Sequence, residues 1–378
     1  MQRHQLAPRP DWQSRVEADG LIYHTPDGAP YWDESAYWEL TAREVDVLEA
    51  ATNELHARCL DAVQHVIDAD RFDELHIPPL GRDLVVRSWE AEPPALYGRF
   101  DLAFDGHGPP KLLEYNADTP TALLEAAVIQ WRWQQDVFPG RDQFNSIHER
   151  LLAGWRDLRP SLLGGVVHFA SQEDVEDAMT TTYLRDLAEQ AGLRTVQLRV
   201  EDIGWNERAG EFRDLEELPI RNLFKLYPWE WLIHEPFGRH IGRAATQWIE
   251  PAWKMVLSNK GILPILWELF PNHPNLLEAH FTPRSSLVRY VRKPLLSREG
   301  ANVEIVALGH TEHASADGGY GEEGYVYQAM GPVAQADGHT AVLGSWVIQG
   351  ESAGIGIRES DGPITDDRSR FVPHYFRG

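Results

Sequence analysis

The chain has 378 residues, 43% of them hydrophobic and 25% charged, enough for a sizeable core and unlike a disordered polymer. Its 35 basic side chains against 58 acidic ones leave a formal charge of −23, which argues against nucleic-acid binding and against docking on anionic lipid. A single cysteine, Cys59, excludes an internal disulfide framework and any multi-cysteine metal site; its helical surroundings mark it as a small buried side chain.

The opening Met1-Gln2-Arg3-His4-Gln5-Leu6-Ala7-Pro8 lacks the apolar stretch of a secretory signal, and no run approaches the ~18 apolar residues of a membrane span. A cytoplasmic protein is the expectation. Residues 1–38 are rich in aromatics and turn residues, with a turn expected at Pro26-Asp27-Gly28. Over residues 41–67 apolar side chains recur at helical spacing, and Thr41 followed by Glu44 has the form of a capping box. Leu84-Val85-Val86-Arg87, after Pro78-Pro79, reads as a strand. Residues 96–104 and 111–116 read as the two strands of a hairpin around the turn-rich loop 105–110. A tryptophan-rich helix is expected over 121–138. A strand at 164–170, a helix at 175–191 and a strand at 194–200 then make a β-α-β pattern, a small parallel-sheet lobe within residues 160–230. Strands follow at 286–295 and 303–308, a polar glycine-rich loop at 309–324, and strands near Val326-Tyr327-Gln328 and at 341–348. There is no internal repeat and no linker, so residues 1–378 read as one mixed α/β (α+β) unit.

The hairpin carries the most informative pattern. Arg99 and Asp101 lie two apart on one strand, and Glu114 and Asn116 two apart on the other. Side chains alternate along a strand, so in matching register the four groups meet on one face, with Phe100, Leu102, Leu113 and Tyr115 on the face towards the core. Two carboxylates and an amide oxygen suit a hard cation such as Mg²⁺, and a guanidinium beside them suits a transferring phosphoryl group. The alternative is a hairpin with one solvated polar face. Lysine usage adds to this. Only Lys111, Lys225, Lys254, Lys260 and Lys293 are lysine, the other basic residues being arginine. Lys260 and Lys293, on separate segments, are what a nucleotide triphosphate needs to neutralise its phosphates. Ser297-Arg298-Glu299-Gly300-Ala301-Asn302 is a short polar segment able to fold over phosphates. No GxGxxG or Walker-type sequence is present. His310 and His313 lie three apart with no third ligand nearby and read as solvated.

Gly98-Arg99-Phe100-Asp101 and Leu113-Glu114-Tyr115-Asn116-Ala117-Asp118-Thr119 resemble the signature of the glutathionylspermidine synthase family. So do Lys225-Leu226-Tyr227-Pro228-Trp229-Glu230, Asn259-Lys260-Gly261-Ile262-Leu263-Pro264 and Arg292-Lys293-Pro294. The resemblance runs from about residue 10 to the final Arg370-Phe371-Val372-Pro373-His374. It implies an ATP-grasp-like fold and an ATP- and Mg²⁺-dependent ligase that joins a carboxylate to an amine through an acyl-phosphate, the substrates being a small peptide or polyamine-type pair. It further implies Asp101, Glu114 and Asn116 as Mg²⁺ ligands, Arg99 and Arg358 as catalytic arginines, and Arg99, Lys260, Lys293, Gly300, Tyr327 and Gln328 around ATP. Thr119 and Glu176 would face the substrate. Two positions depart from the pattern: Thr119 stands where the family has serine, and Asp177 where it has a second glutamate. The chain has no room for the amidase domain of the bifunctional members. A competing reading is a catalytically inactive nucleotide-binding module of the same fold, which would bind ATP without forming ADP. A carbohydrate-active protein, suggested by the tryptophans and acids, would instead bind sugar without ATP.

Overall fold

A computed structural model describes all 378 residues. At its centre is a six-stranded antiparallel sheet. Four of its strands run side by side: Lys111–Asn116, Tyr97–Ala103, His339–Ile348 and Glu351–Ser360, with Arg370–Val372 at one edge and Ala334–Ala336 pairing His339–Ile348. The long helix Ala42–Asp68 covers one face. Its start is the expected capping box, Thr41 accepting from the Glu44 amide while the Glu44 carboxylate accepts from the Thr41 amide. From this helix Leu48, Leu55, Cys59 and Val63 pack into a core shared with Phe100, Leu102, Tyr115, Leu343 and Ile355. The other face carries Arg99 and Asp101 beside the buried Tyr97 and Trp346.

A second sheet is wholly parallel, in the order Gln247–Ile249, Asn222–Leu226, Val166–Ser171, Arg194–Arg199. Helix Val175–Gln190 makes the crossover between its last two strands. The sheet extends to Ile249, beyond the 230 limit read from the sequence pattern. Its core contains Trp155, Phe169, Leu184 and Phe224, and merges with Tyr97 and Trp346 from the uncovered face of the central sheet. A third, five-stranded antiparallel sheet carries Arg289–Pro294 between Tyr325–Ala329 and Glu304–Ala307. No helix is long and apolar enough to cross a membrane.

Four segments differ from the expectation. Residues 84–87 lie inside the helix Pro79–Ala91, not in a strand. Three apolar residues in a row, Leu84-Val85-Val86, fit either element. Pro79 at the first helical position and burial of Gly81, Leu84 and Val85, spaced three and four apart, select the helix. His310–Ala314 forms an edge strand inside the expected loop; all five residues are exposed, so no buried face imposes apolar alternation. The tryptophan-rich helix is interrupted: a π-helical turn spans Glu125–Ile129 before the helix Gln130–Val137. The ten-residue strand Glu351–Ser360 had no strand pattern to announce it, because Gly354 and Gly356 interrupt its apolar run.

Candidate active site

The hairpin pairs Arg99 with Asn116 and Asp101 with Glu114, so the four polar groups share one face. A β-bulge follows between Asp101 and Leu102, which then pairs with Leu112. The bulge corrects one expected residue: Leu112, not Leu113, is buried in the core beside Phe100, Leu102 and Tyr115, and Leu113 is displaced as the extra residue. The displaced Leu113 carbonyl becomes useful, accepting from Lys293 Nζ at 3.0 Å. The hairpin strand is anchored at its start by the buried Glu250 carboxylate, which accepts from the amides of Leu96 and Tyr97, while Lys254 Nζ donates to the Tyr97 carbonyl.

Arg99 donates from Nε to Asp101 Oδ1 at 2.8 Å and from Nη1 to the Thr121 carbonyl at 2.8 Å. Gly344, opposite Asp101 on the next strand, makes room for this guanidinium: a Cβ there would lie 2.8 Å from Arg99 Cδ. Lys260 Nζ lies 3.1 Å from Glu114 Oε2 and donates to the Ser297 carbonyl. Lys293 Nζ also donates to Gln328 Oε1 at 2.8 Å, and Gln328 Nε2 donates to the Leu112 carbonyl at 2.9 Å. Gln328 thus ties the lysine to the hairpin. Two ammonium groups and two carboxylates meet in a largely buried volume, and their protonation follows from it. Burial pushes the Glu114 carboxyl up, but Lys260 and Lys293 outweigh it and hold the group at about 2. Burial and the neighbouring Lys260 bring Lys293 down to about 8 against the pull of Glu114 and Asp101. Burial raises Asp101, with Arg99 opposing.

The remaining expected residues are spread around this cluster. Arg358 stands on the same sheet face as Asp101, two strands away, opposite Val342; it stacks over Phe371 and donates from Nη2 to the Asp366 carbonyl, leaving its buried Nε unpaired. Gly300 adopts φ +70°, and a Cβ there would sit 2.2 Å from the Thr365 carbonyl oxygen, so the segment around it lies against the loop at 365. Thr119 Oγ1 accepts from Arg298 Nη2. Glu176 occupies the first turn of helix Val175–Gln190, close enough to Arg99 and Glu125 to influence both. Tyr327 does not join the cluster: its side chain lies on the face opposite Gln328 and packs edge-on against Tyr290.

Sequence reasoning passed over Arg298, which reaches from the polar segment across to Thr119 and Glu230 and lies over the Trp231 ring. It also passed over Glu125, a fully buried carboxyl that accepts from Tyr31 Oη at 2.7 Å and is raised to about 7 by burial and by Glu176. The signal for Arg298 was its place in the polar segment that follows a strand carrying the buried Lys293; Glu125, inside a helix pattern, had none. The donor set passes a chemical test for a hard divalent cation. Asp101 and Glu114 face each other across one register position and the Asn116 amide lies beside them, donating to Glu114 Oε1 at 3.2 Å, so the oxygens gathered here are of the kind such an ion takes.

A family model described as glutathionylspermidine synthase preATP-grasp matches residues 3–377. A Haemophilus influenzae protein named "Putative acid--amine ligase" is 44% identical over 387 residues, covering 97% of this chain and 97% of its own length. Trypanothione synthetase of Crithidia fasciculata is 30% identical over 84% of this chain and 53% of its own length. The bifunctional glutathionylspermidine synthetase/amidase of Escherichia coli is 28% identical over 95% of this chain and 61% of its own length, so the chain spans little more than half of these two larger proteins. Among solved structures, an apo-form glutathione synthetase-like effector from Globodera pallida superposes with a TM-score of 0.62 at 10% identity, covering 97% of this chain and 96% of that one, a likeness of fold. With the family match spanning almost every residue and the 44% identity running end to end, the chain belongs to the glutathionylspermidine synthase family.

Proposed function

We propose that this protein is an ATP- and Mg²⁺-dependent ligase that activates a small carboxylate as an acyl-phosphate and passes the acyl group to an amine. The observation that carries the reading is the convergence of Asp101, Glu114 and Asn116 with Lys260 and Lys293 on one face of the central sheet. Bound Mg²⁺–ATP would supply the phosphoryl group. Asp101, Glu114 and Asn116 have the oxygens to hold the ion. Lys260 and Lys293, each already directed by backbone carbonyls, neutralise phosphate charge. Arg99 and Arg358, on the same sheet face, orient the group in transfer and balance its charge. Such transfer depends mainly on positioning and electrostatics, which these buried and multiply bonded side chains provide. Arg298 and Gly300 belong to the segment that covers the site, and Arg298 already spans to Thr119.

The amine side of the reaction is supported by acidic groups gathered near Arg298. Asp177 is raised to about 7 by burial and by its neighbours Asp174 and Glu176, and Glu299 and Glu230 are raised by burial. Carboxylates crowded in this way favour a cationic amine, so a peptide acid and a polyamine-type amine form the substrate pair to try first. The test is a screen for phosphate and ADP release from ATP with peptides and polyamines in pairwise combination. Asp101→Ala and Lys293→Ala should abolish the release found with the true pair. Near-normal turnover in both variants would refute the assignment; ATP binding with no ADP formed across a broad panel would point to an inactive nucleotide-binding module.

A further inference from the structure

Lys225, one of the five lysines, is not explained by the reaction above. It is buried in the parallel-sheet strand Asn222–Leu226, 2% exposed, and its Nζ donates to Asp118 Oδ1 at 2.5 Å while lying 4.6 Å above the Trp229 ring. The other Asp118 oxygen accepts from the Trp229 amide at 2.9 Å. Asp118 is two residues beyond Asn116 and directly precedes Thr119. Here the hairpin strand has ended, so the sheet ladder no longer holds the backbone. A single hydroxyl replaces the ladder: Ser258 Oγ accepts from the amides of Ala117 at 3.2 Å and Asp118 at 3.0 Å. Ser258 in turn lies two residues before Lys260, whose ammonium meets Glu114. One buried junction therefore joins the end of the hairpin, the Lys260 segment and the parallel sheet.

We infer that Ser258, Asp118 and Lys225 are positioning residues which set Asn116 and Thr119 relative to Lys260, and so fix the metal and substrate sides of the site in one register. Burying a lysine and an aspartate together adds little to stability compared with apolar residues of the same volume; what it adds is direction, since the pair is satisfied in only one arrangement. Asp118 has both oxygens engaged and its amide held, so the segment 116–119 has no freedom to shift without breaking a buried bond.

The inference rests on the Mg²⁺–ATP reading, and the experiment separates the two. Binding of a non-hydrolysable ATP analogue is measured by calorimetry with Mg²⁺ and with EDTA, together with thermal melting, on the wild type, Ser258→Ala, Ser258→Thr and the charge-neutral double variant Lys225→Met/Asp118→Asn. Wild-type protein that binds no analogue, or binds it equally with and without Mg²⁺, refutes the reading of the site itself. With a Mg²⁺-dependent gain present in the wild type, Ser258→Ala and the double variant should lose at least ten-fold of that gain, with metal-free affinity kept and melting within a few degrees. Ser258→Thr, which keeps the hydroxyl, should restore it. An unchanged Mg²⁺-dependent gain in both folded variants overturns the inference. So does a loss of metal-free and Mg²⁺-dependent binding in step with a fall in melting temperature, which would reduce the junction to a fold contact.

Discussion

Acidification should weaken this protein through His374, by an amount that its surroundings set. The imidazole is fully buried at the start of strand His374–Arg377. Both amide hydrogens of Gln130 go, at 2.7 Å, to the carbonyls of Ala126 and Ile355, so its Oε1 faces His374 Nδ1 as an acceptor at 2.8 Å. Nδ1 therefore carries the proton of the neutral ring, and Nε2 is buried with no partner. A second proton on Nε2 would create an unpaired buried charge, and burial holds the pKa down at about 3 against the usual 6.5. The unfolded chain takes that proton near 6.5; stability is intact above this value and is lost as the pH falls towards 3. At about pH 4.5 the difference amounts to roughly 3 kcal/mol, a large part of the ~5–15 kcal/mol that holds a domain together. His374→Asn keeps an amide donor for Gln130 but cannot titrate. Urea unfolding followed by tryptophan fluorescence at neutral and acidic pH should show the variant weaker by about 1–3 kcal/mol at neutral pH, from lost ring volume, yet less affected by acid. His56, lowered to about 4 by burial, and Glu125 and Asp177, raised to about 7, titrate in both proteins and cancel in the comparison. Equal acid responses in the two proteins would refute the account of His374.

Glu125→Gln should flatten the opposite limb. A carboxyl raised from 4.5 to about 7 contributes stability below 4.5 that is lost as the pH rises through 7, up to ~3 kcal/mol, and melting at acidic and alkaline pH should show a smaller difference in the variant than in the wild type. Gly300→Ala meets both a positive φ and the Thr365 carbonyl; it should cost at least about 1–2 kcal/mol locally, seen as faster proteolysis around residue 300 with little change in global melting. Gln328→Met removes the amide that holds Lys293, and should cost about 2–4 kcal/mol in urea unfolding and weaken nucleotide binding; undiminished nucleotide affinity would show that Lys293 is placed by other contacts. Thr41→Ala should lower stability by about 1 kcal/mol, with no effect on nucleotide affinity, as expected of a cap remote from the hairpin's polar face.

The sequence by itself determined those features whose cause lies within a few residues. The long helix could be read to its capping box because Thr41 and Glu44 satisfy each other's amides locally. The hairpin could be read because its turn-rich loop and two-residue spacing place Arg99, Asp101, Glu114 and Asn116 on one face whatever surrounds them. The crossover β-α-β pattern could be read for the same reason, each element declaring its own period. What the tertiary structure decided were matters of competition between distant segments. Whether residues 84–87 form helix or strand was settled by the core they pack into, and the polar edge strand at 310–314 by a neighbour it could pair with. The bulge that exchanges Leu112 for Leu113 frees the very carbonyl that Lys293 uses. The partners of the lysines, Glu114, Gln328 and Asp118, come from other segments of the chain, at separations that no local pattern encodes. A period in sequence says which face a side chain takes; only the packed chain says what meets it there, because burial makes an unpartnered charge too costly to leave to chance.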